Sequence, residues 1–181
     1  RFAGKNFQKF DCAVGNPPYG DYTGFYKGQG EGKEFARYDQ YFVSRTLDTL
    51  KDNGILAFVM PSNFLSSSDP KFKKAKEIIA SKGKLLEAWR LPNGVFQLDV
   101  KSGTNVGTDI IIIRKEKGDV NDFIGDNYFK NNPNHIAGDV VEQINFRGQP
   151  EKVVQPKNGE DFESAVNNID INDVEAIIKE L

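Results

Sequence analysis

The sequence predicts an α/β fold with a mostly parallel sheet and an antiparallel last strand. Short apolar runs, typical of strands that are buried on both faces, lie at residues 10–16, 55–61, 85–92 and 108–117. Helix patterns separate the first three runs, and such connections favour parallel neighbours in one sheet. The last two runs have only a loop between them, so we expect the last strand to run antiparallel.

The two helix patterns lie at residues 35–52 and 71–82. In the first pattern, apolar or semi-apolar side chains recur at spacings of three and four, which indicates an amphipathic helix. The pair Asn53-Gly54 predicts the end of this helix. The pair Asp69-Pro70 predicts an N-cap and a first-turn proline for the second helix.

The composition of the chain changes near residue 117. Residues 1–117 contain all the predicted strands, whereas residues 118–181 are more polar, with short apolar pieces and a final helix pattern. We expect residues 118–181 to form a C-terminal extension that packs on the first part or leads to a further domain.

Composition limits the classes of function. A chain of 181 residues can bury a core, and its net charge of −2 gives no basic surplus that would indicate nucleic-acid binding. A single cysteine excludes a disulfide framework, and no apolar run is long enough to cross a membrane, so we expect a cytoplasmic protein. The chain begins with Arg1, which suggests a piece of a longer protein.

The segment VGNPPYG, residues 14–20, is the strongest candidate for chemistry. Two prolines end the first strand, and ligands of open α/β sheets bind beyond the carboxyl ends of strands. The Asn16 side chain and the Pro17 carbonyl offer two acceptors, which match the two donors of an NH₂ group. Such bonds favour a pyramidal nitrogen whose lone pair can attack an electrophile, and Tyr19 offers a flat surface for the ring that carries the amine.

The stretch DCAVGNPPYG resembles the catalytic motif of N6-adenine DNA methyltransferases of the NPPY class (Eco57I-like and type IIG-like enzymes). These enzymes use S-adenosylmethionine. The resemblance implies that Asn16 and Pro17 hold the amine of a flipped adenine in double-stranded DNA and that Tyr19 stacks on its ring. It also implies that Asn16 and Pro18 border the methyl-donor end of the cofactor, so residues 16–19 form the expected catalytic set.

The resemblance extends over about residues 8–117. The segment RYDQYFVSRTLDTLKDNGILAFVMPSNFL is similar to the next helix and strand of the family, and LPNGVFQ is similar to its later base-pocket motif. Phe96 is therefore the candidate that covers the second face of the base. The sequence around RLPN and TDIIII, together with YFKNNPNHIAGD, resembles that of large proteins in which such a methylase is fused to a Snf2-type helicase.

One departure from the family is important. Its Gly-rich cofactor loop follows a first strand, but GQGEG (28–32) and SGTNVG (102–107) do not stand in that context. The fold expected here is thus the C-terminal half of a Rossmann-like methyltransferase, with the other half upstream in the same parent protein. We expect the isolated chain to be inactive, to bind S-adenosylmethionine weakly or not at all, and to form dimers through the free edge of its first strand.

Five other features have simpler interpretations. We expect Cys12 to be a buried core thiol and Trp89 to lie in the core or at a sheet edge. His135 is the only histidine, so we expect a loop residue and no metal site. Asp39 is expected to be a solvated or helix-capping charge. A basic cluster consists of Lys71, Lys73, Lys74 and Lys76. We expect these lysines to form a solvated helix face, and contact with phosphate groups is the alternative.

Two other functions remain open at this point. The same tetrad suits a different planar amine, either N4 of cytosine or the amide of a protein glutamine. A non-catalytic DNA-binding or assembly module is the third possibility.

Overall fold

The computed structural model describes residues 9–22, 30–94, 107–144, 148–170 and 172–179. No helix among these residues is long and apolar enough to span a membrane. Phe96 lies outside the described residues, as do the rest of residues 95–106 and residues 23–29.

A four-stranded mixed sheet forms the centre of the structure. Its strands are β1 (Phe10–Gly15), β2 (Leu50–Pro61), β3 (Lys84–Arg90) and β4 (Thr108–Arg114), in the order β1-β2-β4-β3. Strand β1 is parallel to β2, whereas β4 is antiparallel to both of its neighbours. Strands β1, β2 and β3 therefore share one direction and β4 opposes them, which confirms the predicted fold class.

The first face of the sheet is covered by helices. Helix α1 (Tyr38–Thr49) and helix α3 (Lys73–Lys82) pack there, and a short helix α2 (Asn63–Ser66) follows β2. Two 3₁₀ helices, Gly30–Glu34 and Pro70–Phe72, precede α1 and α3. Asp69 caps the second one by accepting a hydrogen bond from the Lys71 backbone N–H at 3.0 Å, as the Asp-Pro signal predicted. The core on this face includes Val43, Leu47, Leu56, Met60, Ile79, Ile111 and Ile113.

The C-terminal residues pack in two places: residues 120–131 lie against α2 and α3 and add Phe123, Tyr128 and Phe129 to the core of the first face, and later residues reach the β3 edge and the second face. They form the 3₁₀ helix Val120–Phe123, α4 (Asn127–Asn131), the 3₁₀ helix Pro133–His135, the hairpin of β5 (Asp139–Ile144) and β6 (Pro150–Gln155), α5 (Phe162–Asn167) and α6 (Asn172–Lys179). Ile169 and Ile177 pack against Ile55, Trp89 and Ile112 of the sheet. The division of the chain at residue 117 stays a prediction.

The predicted end of the first helix is wrong. Helix α1 ends at Thr49, and Leu50 is already extended and pairs with Phe10 of β1. Asn53 has the left-handed φ of 64° that its sequence suggests, but it lies inside β2. Tertiary pairing explains the difference, since the Asn53 N–H donates to the Lys115 carbonyl at 3.1 Å and so lengthens the ladder beyond β4.

Cys12 is exposed, contrary to the prediction of a buried thiol. Its register partner in β2 is Ile55, so both side chains lie on the second face of the sheet. Ile55 is covered there by the C-terminal helices, but β1 is at the edge, and no described element covers its second face. Val14, on the same side of β1, is 78% exposed for the same reason.

Trp89 and His135 pack on one another at the β3 edge. Trp89 is buried, as predicted, and its ring stacks on that of His135 with 5.1 Å between centroids. His135 ends a 3₁₀ helix, and its Nδ1 lies 2.9 Å from the Tyr128 hydroxyl. His135 therefore helps to hold the C-terminal segment against β3.

The basic cluster at and before the start of α3 divides into two groups. Lys71, Lys73 and Lys74 are exposed, as a solvated face requires. Lys76 is buried, which the sequence did not suggest, and its Nζ donates to the Ser67 carbonyl at 2.5 Å. Burial lowers the pKa of Lys76 from 10.5 to about 8, although the nearby Asp126 charge opposes this shift.

The buried amine predicts a specific dependence of stability on pH. Between pH 8 and 10.5 the unfolded chain binds the Lys76 proton and the folded chain does not, so stability rises with pH across this window. We expect Lys76→Met to remove this rise, which is about 1–3 kcal/mol in the free energy of unfolding. Urea unfolding at several pH values measures it, with the exposed Lys74→Met as control. An undiminished rise in Lys76→Met would contradict the assignment.

Candidate active site at the carboxyl edge of the sheet

Residues 16–19 follow β1 directly and lie where four chain segments meet. β2 ends at Pro61 and β3 at Arg90, at the same edge of the sheet. β4 runs the other way, so it begins there, with Thr108 opposite Pro61 and Asp109 opposite Arg90. The tetrad therefore lies at the carboxyl ends of the parallel strands, as predicted from the sequence.

The tetrad leaves its two predicted acceptors free of described partners. Asn16 is exposed, and no described residue hydrogen-bonds to its side chain. Pro17 is buried, but no described N–H donates to its carbonyl oxygen. Pro18 is exposed. The amide oxygen of Asn16 and the carbonyl oxygen of Pro17 thus have no hydrogen-bond donor among the described residues.

Tyr19 is fixed by its hydroxyl. The side chain is half-buried, and its O–H donates to the Val59 carbonyl of β2 at 3.0 Å. Burial, and then the charge of Asp39, raise the pKa of Tyr19 to about 12. The phenol is therefore a neutral donor at physiological pH, and its tip is tied to the strand next to β1.

Asp39 is buried beside the tetrad, so the prediction of a solvated charge is wrong, whereas the alternative of a helix-capping charge agrees with its place in the first turn of α1. Its side chain is 0% exposed and forms an ion pair with Arg37, whose Nη2 lies 2.7 Å from Oδ2. It also accepts hydrogen bonds from the backbone N–H groups of Gln40 and Gly20. Burial raises the pKa of Asp39, and these hydrogen bonds oppose the shift.

A second ion network, centred on the buried Asp109 and the largely buried Arg90, lies at the same end of the sheet. Arg90 donates to both oxygens of Asp109 at 2.9 and 3.0 Å and to both oxygens of Asp126 at 3.0 and 2.7 Å. The Ser62 hydroxyl donates to Asp109 at 2.8 Å, and the Arg90 guanidinium lies 4.3 Å from the centre of the Phe129 ring. This network joins the ends of β2 and β3, the start of β4, and the C-terminal segment.

This ion network was not predicted, although the sequence contains a signal for it. Arg90 and Asp109 are charges at the ends of otherwise apolar strands, and opposite charges at such positions indicate a buried pair. Arg37 was missed as well, because nothing in its surroundings marks it as buried. No local pattern indicated the Val59 carbonyl as a partner of Tyr19.

The base of the loop that carries Phe96 is described at both ends. The Asn93 N–H donates to the Val154 carbonyl at 2.7 Å, and the Val154 N–H donates to the Asn93 side chain at 3.2 Å. At the other end the Ser62 N–H donates to the Gly107 carbonyl at 2.8 Å. The predicted role of Phe96 itself stays a prediction, because that residue lies outside the described ones.

The described residues provide one wall of a cofactor site at most. The exposed Asn16 and Pro18 follow β1, whose outer edge pairs with no described strand. Residues 30–34 of the Gly-rich stretch form a 3₁₀ helix, and within the described ranges no Gly-rich turn joins a strand to a helix in the manner of a nucleotide-binding loop. The same ranges contain no group of three or more side chains that could hold a metal ion.

The Tyr19 hydrogen bond predicts a measurable loss of stability. We expect Tyr19→Phe to lower the free energy of unfolding by about 0.5–1.5 kcal/mol, because the Val59 carbonyl loses its side-chain donor. Urea unfolding at neutral pH measures this, with Tyr41→Phe as the control. An unchanged free energy of unfolding would contradict a formed Tyr19–Val59 bond.

The raised pKa of Tyr19 predicts that its phenol ionises at a higher pH than an exposed tyrosine. The unfolded chain ionises Tyr19 near 10 and the folded chain near 12, so this part of the stability is present below pH 10 and is lost as pH rises toward 12. We expect the phenolate absorbance of the wild type minus that of Tyr19→Phe to titrate with a midpoint near 12. A midpoint near 10 would show that the phenol is exposed.

Comparison with known proteins identifies relatives of the chain. The profile of the Eco57I restriction-modification methylase family matches residues 1–96. The defense against restriction protein B of Escherichia phage P1 is 29% identical over 111 residues, which are 61% of this chain and 5% of that protein. The chain thus spans about a twentieth of the curated relative that it matches.

Two solved structures share the fold. A modification subunit of a putative type I restriction enzyme from Vibrio vulnificus YJ016 aligns with a TM-score of 0.51 and 24% identity, over 62% of this chain and 24% of that chain. A chain of a type I restriction–modification system aligns with a TM-score of 0.50 and 23% identity, over 61% and 22%. The α/β architecture is therefore one that modification subunits use.

Proposed function

The chain belongs to the Eco57I restriction-modification methylase family, and we propose that it carries the catalytic motif of an N6-adenine DNA methyltransferase. The observation that supports this most is the arrangement of residues 16–19. Two acceptor oxygens without described partners adjoin a tyrosine that is anchored to the neighbouring strand. An exocyclic amine on a flat ring has the two donors and the planar surface that this arrangement suits.

The chemistry assigned to this chain is activation and orientation of the amine. The side-chain oxygen of Asn16 and the carbonyl of Pro17 accept the two N–H bonds of the adenine amine. These bonds favour a tetrahedral nitrogen, which returns the lone pair to the nitrogen and directs it along one line. S-adenosylmethionine supplies the methyl group when it is bound. No covalent bond to the enzyme is required.

Tyr19 provides the surface on which the flipped base rests. Stacking of a base on an aromatic ring contributes about 1–3 kcal/mol, which helps to offset the cost of unstacking the base from the duplex. Its hydroxyl is already bonded to Val59, so the ring enters the complex with little freedom to lose. Phe96 is proposed to cover the opposite face of the base.

The free edge of β1 is the proposed attachment point of a cofactor-binding half. No described strand pairs with this edge, and the adjacent face exposes Phe10 (48%) and Val14 (78%). An upstream segment of the same parent protein that adds a strand here brings its own turn next to Asn16 and Pro18. We further propose that the parent is a large cytoplasmic protein that also carries a Snf2-type helicase, and that the isolated chain is inactive.

The first test is methyl transfer by the longest natural reading frame that contains these residues. We expect label from S-adenosylmethionine to appear in N6-methyladenine of unmethylated DNA. Asn16→Ala is expected to reduce the rate by at least about a hundredfold, because the amine loses one of two orienting acceptors. The exposed Asn131→Ala, far along the chain in α4, is the matched control.

Each other outcome has a defined meaning. Label in N4-methylcytosine or in protein glutamine would replace adenine as the substrate while keeping the role of the tetrad. DNA binding without label in any product would leave a non-catalytic module with a methyltransferase fold. Equal rates for the wild type and Asn16→Ala would contradict the role assigned to the tetrad.

The free edge also predicts association of the 181-residue chain when it is studied alone. Unpaired strand edges with apolar neighbours favour pairing with another chain. We expect a dimer whose population rises with concentration in sedimentation velocity, and we expect Val14→Lys to weaken it. Val140→Lys, at an exposed position of the β5–β6 hairpin, serves as the control. A monomer at high concentration would count against this use of the edge.

A further inference from the structure

We propose that Asp39, held by Arg37, is a positioning residue that fixes the end of the NPPYG turn. This inference rests on the proposed function of residues 16–19 and adds a part of the site that lies outside the tetrad. Asp39 and Arg37 touch no predicted substrate atom, so they act through the backbone that follows Tyr19.

The Asp39 carboxylate is fixed from several directions. Arg37 donates to Oδ2 from Nε at 2.9 Å and from Nη2 at 2.7 Å. The Gln40 N–H donates to Oδ1 at 2.8 Å, and the Gly20 N–H donates to the same carboxylate. The Asp39 side chain is wholly buried and that of Arg37 is 16% exposed, so water competes little with these bonds.

Both backbone polar groups of Gly20 are bonded to residues at the start of α1. Its N–H reaches Asp39, and its carbonyl accepts a hydrogen bond from the Tyr38 N–H at 2.9 Å. The next residue, Asp21, forms an isolated antiparallel bridge with Arg37. Gly20 has a φ of +108°, which side chains rarely adopt, so the turn here depends on both the glycine and its two backbone partners.

The orientation of Tyr19 follows from two anchors. The ring tip is bonded to the Val59 carbonyl, and the chain directly after the residue is bonded to Asp39 and Tyr38. With only the first anchor the backbone of residues 17–20 can rotate about the ring, and the Pro17 carbonyl moves with it. Loss of the Asp39 carboxylate removes the second anchor and also leaves the Arg37 charge buried without its partner.

The buried charge also distinguishes positioning from simple packing. Burial and the charge of Asp39 raise the pKa of the Tyr19 phenol, so the carboxylate acts electrostatically on the stacking residue itself. A residue that only fills space between α1 and the turn has no such effect. Asp48, near the other end of α1, provides the comparison, because it also pairs with an arginine, Arg45, at 2.9 Å but lies far along the helix from the turn.

The test compares Asp39→Asn with Asp48→Asn in the longest natural reading frame. Asparagine keeps the size of the side chain and one acceptor oxygen, but it loses the charge that binds the guanidinium. We expect kcat for methyl transfer to fall by about 10- to 100-fold in Asp39→Asn while KM for S-adenosylmethionine stays within about twofold. Asp48→Asn is expected to change neither constant.

A second measurement tests the contact without relying on activity. We expect hydrogen exchange, followed by mass spectrometry of peptides that contain Gly20, to be at least about tenfold faster in Asp39→Asn than in the wild type or Asp48→Asn. If Asp39→Asn folds poorly, Arg37→Gln combined with Asp39→Asn replaces the ion pair by two neutral amides that can still bond. This double variant is expected to regain part of the lost kcat.

The outcomes separate this proposal from the proposed function. An unchanged kcat, or unchanged exchange at Gly20, in a folded Asp39→Asn protein overturns the positioning role. A wild type that methylates no DNA overturns the proposed function, and the exchange measurement then still decides whether Asp39 holds the turn. A loss in which KM and kcat change together with global exchange indicates a purely structural residue and also overturns the proposal.

Discussion

The parallel pairing of β1 with β2 is the constraint on which the candidate site depends. The register Gly15 to Phe58 places the start of the NPPY turn next to the end of β2, and the Tyr19 hydroxyl extends this pairing by one bond to Val59. A shift by one residue reverses the faces of β1 and removes Asn16 from the edge. Gly54 permits this close approach, because a Cβ there would lie 2.9 Å from the Asp11 carbonyl.

Two ion networks lie near the paired ends of β1 and β2, and each joins a loop to a helix or strand. Arg37–Asp39 joins the turn to α1, and Arg90 joins β3 to Asp109 and Asp126. Charges removed from water contribute little net stability, but they tolerate few alternative arrangements. In this fold they connect loops to regular elements at the end of the sheet where the tetrad lies.

The fold was largely predictable because its strands carry strong local signals. The run TDIIII is so apolar and β-branched that it indicates a buried strand, and its antiparallel direction was expected, whereas its insertion between β2 and β3 was not predicted. The position of the tetrad was predictable because two adjacent prolines end a strand, and β1 does end at Gly15, whereas the chemical role of the tetrad stays a prediction. Burial of Asp39 and Lys76 was not predictable, since helix periodicity does not say which polar residue finds a buried partner. The β5–β6 hairpin was missed because its strands are short and half polar.

The exposure of Cys12 has a practical consequence. It is the only cysteine in the chain, and it projects from the outermost strand on the face that no described element covers. A thiol-reactive dye attached to Cys12 occupies the surface that a strand added at the outer edge of β1, together with its helix, would cover. The rate of labelling is therefore a direct reporter of whether the sheet is complete, and it gives this information without a substrate, a cofactor or a known recognition sequence.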